Sequence, residues 1–136
     1  MMKIKEIKEY KELDILELYH AVGWTNYTDK PSMLKQSFKN SLFVLGAYDE
    51  EQLVGLIRVV GDGHSIIYIQ DILVLPNYQR QGLGRILINR VLEKFNHVYQ
   101  KVLMTDNQEK VNAFYTSLGF KRTHDLDLVT FIHRTI

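Results

Sequence analysis

The chain has 136 residues, 46% of them hydrophobic, a formal net charge of +1 and no cysteine. That length fits one domain, 1–136, with a core of its own. The missing cysteines exclude disulfides, thiolate metal sites and a cysteine nucleophile, and the near-neutral charge speaks against nucleic-acid or membrane binding. The charged, alternating start MMKIKEIKEY is no secretion signal, and no apolar run approaches the roughly 18 residues of a membrane span, so a cytoplasmic protein is expected.

Met2, Ile4 and Ile7 suggest a first strand. Leu13, Leu16 and Tyr19 share a helical face, which predicts a helix over 11–22. An aromatic-rich connector follows, with Tyr19, His20, Trp24 and Tyr27. Asp29 then Pro31 signals a second helix over 31–39. Leu42 to Tyr48 and Gln52 to Val60 read as a hairpin joined at Asp49-Glu50-Glu51. After the turn Gly61-Asp62-Gly63-His64, residues 65–75 form a long third strand of this run. Leu83, Leu87, Val91 and Phe95 recur every four positions and predict a helix to about Phe95. A strand over 99–104 follows. Asp106 and Glu109 are spaced as a capping box for a helix to Leu118, with Gly119 in the left-handed position beyond it. Two closing strands are expected near 120–124 and 128–134. The order βααβββαβαββ predicts an α+β, or mixed α/β, domain with a central twisted mixed sheet flanked by helices.

The densest chemistry lies between the long strand and the next helix, in Gln79-Arg80-Gln81-Gly82-Leu83-Gly84-Arg85. Amide N–H groups at a helix start lack internal partners and carry the positive end of the helix dipole. Glycines let a ligand approach that backbone closely, and Arg80 and Arg85 add charge, so the turn suits a diphosphate. The alternative is a tight turn with solvated arginines. A P-loop is absent, and Leu87 stands where a Rossmann fingerprint needs its third glycine.

Gln79-Arg80-Gln81-Gly82-Leu83-Gly84 matches the [QR]-x-x-G-x-[GA] signature of the GNAT superfamily of N-acetyltransferases, and Val74-Leu75-Pro76 resembles the strand end that precedes it. Asn112-Ala113-Phe114-Tyr115 with Leu118-Gly119-Phe120 resembles the second conserved segment of that family. One departure is Gln108, where the family often has asparagine; Asn107 sits one residue earlier. The resemblance implies acetyl-coenzyme A as donor, with the pantetheine arm paired to the backbone edge near Leu73, Val74 and Leu75. It places the pyrophosphate on Gln79 to Arg85 and includes Asn112 in the donor site. It also implies direct transfer to the primary amine of a small-molecule acceptor. A non-catalytic acyl-coenzyme A-binding module on the same fold is the alternative.

The matching tyrosine, Tyr115, is the candidate general acid for the departing thiolate; its other reading is a core tyrosine packed with Val111 and Leu118. Asp71 is the nearest carboxylate for the amine proton. It reads either as a base or cation anchor, or as a structural partner of backbone or Arg58. Strand alternation points it away from Gln70 unless a bulge intervenes. Trp24, Tyr27, Tyr68 and Gln70 are candidate acceptor contacts. Five histidines, at 20, 64, 97, 124 and 133, show no metal-binding spacing, so no metal is expected, and His64 reads as a surface residue. The apolar run Leu128 to Ile132 suggests a strand that pairs across a homodimer.

Overall fold

The computed structural model describes residues 2–135. The chain forms two compact units, one ending at Met104 and one beginning at Thr105. The first holds a five-stranded sheet in the order β1-β2-β3-β4-β5. Its strands are β1 (Met2–Glu6), β2 (Phe43–Asp49), β3 (Gln52–Gly61), β4 (Ile66–Val74) and β5 (Gln100–Leu103). The first four run antiparallel to their neighbours and β5 joins β4 in parallel. The edge strand β1 carries Lys3, Lys5 and Glu6, charges that discourage edge-to-edge association. The central β3 is buried over almost its whole length, as both sheet faces are covered.

Helix α1 (Glu12–Ala21) lies where the apolar spacing predicts it and α3 (Pro31–Lys39) where the Asp29–Pro31 start signal does, and an unforeseen helical turn, α2 (Thr25–Thr28), occupies the aromatic connector. Ile15, Leu18 and Tyr19 of α1 and Leu34 and Phe38 of α3 pack with Val44, Leu56 and Leu73 on one face of the sheet. Helix α4 (Leu83–Lys94) buries Leu83, Leu87, Ile88 and Val91. It covers the other face, with Leu87 Cδ1 3.6 Å from the place a Cβ would take at Gly55, the neighbour of Leu56 on β3. Each such side chain contributes about 1.5–3 kcal/mol.

The β3–β4 turn tolerates little change. Gly61 has φ +131°, and a Cβ there would sit 2.5 Å from the Ile66 carbonyl oxygen. Gly61→Ala is therefore expected to destabilise the protein by about 2–3 kcal/mol, a sum of backbone strain and clash, read as a lower melting temperature. Asp62 fastens the same turn by accepting from the N–H groups of His64, Ser65 and Ile66 and from the Ser65 hydroxyl, which holds its carboxyl well below the usual range.

In the second unit, α5 spans Glu109–Ser117 and ends in a Schellman motif: Gly119 N–H donates to Thr116 O and Phe120 N–H to Tyr115 O, with Gly119 at φ +93°. The capping box does not form. The helix starts at an N-cap of Gln108, two residues later than Asp106 would require, and Asp106 instead gives its carbonyl to the Gln108 N–H. The two closing strands do not form either. Residues 123–126 make a 3₁₀ turn closed by an Arg122–Asp125 ion pair at 3.0 Å. Leu128, Val129, Phe131 and Ile132 are exposed. Their β-branched and aromatic character favours a strand, but among the described residues from 105 onward no other strand offers a ladder. Among the described residues no helix is long and apolar enough to cross a membrane.

Candidate functional site

The glycine turn begins where β4 ends. Pro76 to Tyr78 make one 3₁₀ turn, pinned by the Tyr78 hydroxyl donating to Asp49 Oδ2 at 2.6 Å. Gln79 folds its Nε2 back to the Val74 carbonyl (3.0 Å) and Gln81 its Nε2 to the Asn77 carbonyl (3.2 Å). Arg80 and Gly82 both adopt the left-handed conformation, with φ +64° and +84°. For Arg80 this costs about 1–2 kcal/mol. Gly82 is the N-cap of α4 and supplies no side-chain cap, and the first internal helix bond runs from Ile86 N–H to Gly82 O. The N–H groups of Leu83 and Gly84 therefore have no acceptor within the helix. Nothing lies within 4 Å of the Cβ position at Gly82. Arg80 and Arg85 are exposed, whereas Leu83 is buried and offers only its backbone. An anion fits this concave run of donors.

The strand leading into the turn parts from its neighbour. Parallel pairing of β4 with β5 ends at Ile69↔Leu103, so no strand of the sheet covers that edge from Gln70 to Val74. Leu75 N–H is occupied by the Val54 carbonyl at 2.8 Å. Alternation then turns the N–H and C=O groups of Ile72 and Val74 to the uncovered edge and those of Leu73 toward β3. Of the expected edge at Leu73 to Leu75, Val74 faces outward, its carbonyl already accepting from Gln79 Nε2, and Ile72 joins it.

Asp71 does not point away from Gln70. Arg58 pairs with Asp71 but Val59 with Ile69, which makes Gln70 the extra residue of a β-bulge. The bulge reverses the expected parity and puts Asp71 on the face of α1 and α3. There it is 2% exposed. Its Oδ2 accepts from Arg58 Nε at 2.7 Å and from the Tyr19 hydroxyl at 2.8 Å, and its Oδ1 from the Tyr27 hydroxyl at 3.1 Å. Gln70 Nε2 donates to the same Tyr27 oxygen at 3.2 Å. Burial, and then the Asp71 charge, push the Tyr19 and Tyr27 phenols upward; Asp71 raises the Arg58 guanidinium against the opposing effect of burial. Asp71 has the surroundings of an ion-pair partner, and we assign it no proton transfer: a free amine would have to displace three donors from a dry carboxylate. Asp71→Asn is expected to cost about 3–5 kcal/mol by stranding a buried guanidinium. An unchanged melting temperature, with activity lost at neutral pH and recovered at alkaline pH, would instead return Asp71 to the role of base.

Of the acceptor candidates, Tyr27 and Gln70 meet, and Trp24 packs its ring 6.2 Å from that of Tyr27. Tyr68 is half-buried on β4, and burial raises its phenol. His64 is exposed. Among the described residues no cluster of three His, Asp or Glu side chains could hold a metal. In the second unit, Tyr115 lies on α5 with its ring 5.1 Å from Phe114 and 5.8 Å from Phe120, and burial raises its phenol above 10.0. Asn112 donates to the Asn107 side chain at 3.1 Å. Sequence reasoning missed Tyr19 as a partner of Asp71 and Tyr78 as the anchor of the glycine turn; both contacts are long-range and leave no local signal.

A mixed sheet whose fourth strand leaves its parallel neighbour beside an uncapped, glycine-bounded helix start defines a domain of the acyltransferase type. The chain belongs to the acetyltransferase (GNAT) domain family, whose model matches residues 8–131. A GNAT-family acetyltransferase from Streptococcus pneumoniae TIGR4 is 43% identical with a TM-score of 0.90, over 99% of this chain and 98% of that one. A histone acetyltransferase of Glycine max is 31% identical over 79% of this chain and 51% of its own length. The PaiA N-acetyltransferase of Thermoplasma acidophilum, solved with coenzyme A, shares the fold at 16% identity and a TM-score of 0.73, over 89% of this chain and 90% of that one. The chain spans 45–66% of the length of three curated relatives that it matches.

Proposed function

We propose that this chain is an N-acetyltransferase that moves the acetyl group of acetyl-coenzyme A directly to the primary amine of a small-molecule acceptor. The observation that carries this reading is the conjunction of an uncovered β4 edge with the left-handed glycine turn that follows it. The Ile72 and Val74 backbone would take the pantetheine arm as an added strand. The amides of 80–85, with the Arg80 and Arg85 side chains, would take the pyrophosphate. Family membership, and the coenzyme A bound by the Thermoplasma relative of the same fold, support the same donor.

The reaction balances without a covalent enzyme intermediate. The amine lone pair attacks the thioester carbonyl, the C–S bond breaks, and the thiolate takes a proton, for which the Tyr115 phenol is the proposed donor; the phenolate regains its proton from water. The amine gives its own proton to water at the β4 edge. An alkylamine of pKa about 10.4 is mostly protonated at pH 7, so releasing its lone pair costs about 4–5 kcal/mol. Tyr27, Gln70, Tyr68 and Trp24 are the contacts proposed for the acceptor. Thiol release from acetyl-coenzyme A, measured across polyamines, amino acids, aminoglycosides, aryl-alkylamines and peptide N-termini, tests the reading. Release with at least one small amine is expected; coenzyme A binding without release would make the chain a binding module.

A further inference from the structure

The buried Arg58–Asp71 pair stands beside the one irregularity that shapes the β4 edge. Arg58↔Asp71 is the last register pair before the shift, and Val59↔Ile69 the first beyond it. The parallel partner β5 is also lost at Ile69↔Leu103. Without the extra residue Gln70, every residue from Asp71 to Leu75 would change parity. Asp71 would then turn to the opposite face, among Ile57, Val59 and the apolar side of α4. The N–H and C=O groups of Ile72 and Val74 would turn inward to β3. A carboxylate cannot be buried there unpaired, whereas on the observed face it meets Arg58, Tyr19 and Tyr27.

Arg58 is itself held in place. Its Nη1 donates to Ser41 Oγ at 3.2 Å, and its guanidinium lies 5.7 Å from the Phe38 ring centre. The pair is thus tied to α3 through Phe38, to the segment that follows it through Ser41, to α1 through Tyr19 and to α2 through Tyr27.

We propose that Arg58 and Asp71 are positioning residues for the acyl-coenzyme A donor: their ion pair selects the bulged register of β4, and that register presents the backbone groups of Ile72 and Val74 at the uncovered edge. This rests on the donor site proposed above. Stability alone does not call for an ion pair here, because apolar residues of similar volume often replace a buried pair without loss.

The test uses Arg58→Met/Asp71→Leu/Tyr19→Phe, which removes the pair and the hydroxyl it satisfies, together with Arg58→Lys, which keeps charge and approximate volume. The triple variant is expected to melt near the wild type, because its core stays packed and dry. Its KM for acetyl-coenzyme A should rise about tenfold, within the range of coupling seen for residues that act through a network. Arg58→Lys, lacking the Nε donor, should raise KM for acetyl-coenzyme A by about threefold. A folded triple variant with wild-type KM for acetyl-coenzyme A would overturn the proposal and leave the pair as a stabiliser. If the triple variant does not fold, Arg58→Lys decides alone, and an unchanged KM for acetyl-coenzyme A overturns the proposal. Calorimetry on the wild type separates the premises: no binding of coenzyme A would sink the donor site itself, whereas wild-type binding with equal affinity in the variants sinks only the role of the pair.

Discussion

Tyr115→Phe is expected to keep the fold and the affinity for coenzyme A while lowering kcat by about 10²–10⁴-fold, the usual contribution of a positioned proton donor. The ring of Tyr115 packs edge-on against Phe114 and Phe120, and phenylalanine fills the same space, so any loss falls on the hydroxyl. A general acid must hold its proton to act. Burial raises this phenol above 10.0, so it remains protonated through neutral pH. The fall in activity caused by its ionisation should therefore lie above pH 10. Turnover of the variant equal to wild type across pH 6–9 would return Tyr115 to a packing role.

Gly82→Val is expected to weaken coenzyme A binding by at least about tenfold, an estimate based on losing close approach to the backbone donors. Beyond its chain neighbours nothing lies within 4 Å of a Cβ at Gly82, so the protein alone leaves room there; in the proposed donor site the added side chain would stand where the pyrophosphate approaches. The substitution also forces a β-branched residue to φ +84°, at a cost of about 1–2 kcal/mol. Melting temperature and calorimetry on the same sample separate the two effects. A folded variant with unchanged affinity for coenzyme A would refute the diphosphate role of the turn.

What the sequence made legible was local. Leu83, Leu87 and Val91 mark the buried stripe of α4 because helical spacing needs no partner to be seen, and Pro31 marks the start of α3 for the same reason. Gly82 and Gly119 announce left-handed positions by their identity. The orientation of Asp71 was not legible, since the bulge at Gln70 is a property of the register between β3 and β4. Its partner Tyr19 stands 52 residues away in the chain. Arg80 hides its left-handed backbone behind a side chain that seldom adopts it. The residues from Leu128 to Ile132 misled in the other direction: their strand-forming character is real, but a strand needs a second strand, and their own unit contains none among its described residues.

The most direct test of the account is amine-dependent release of free thiol from acetyl-coenzyme A by the wild-type protein, followed by mass analysis of the amine. The account predicts thiol and acetylated amine in equal amounts with at least one small primary amine, and less of both from Gly82→Val at sub-saturating acetyl-coenzyme A. Tight coenzyme A binding with no acetylated product from any amine class would contradict it.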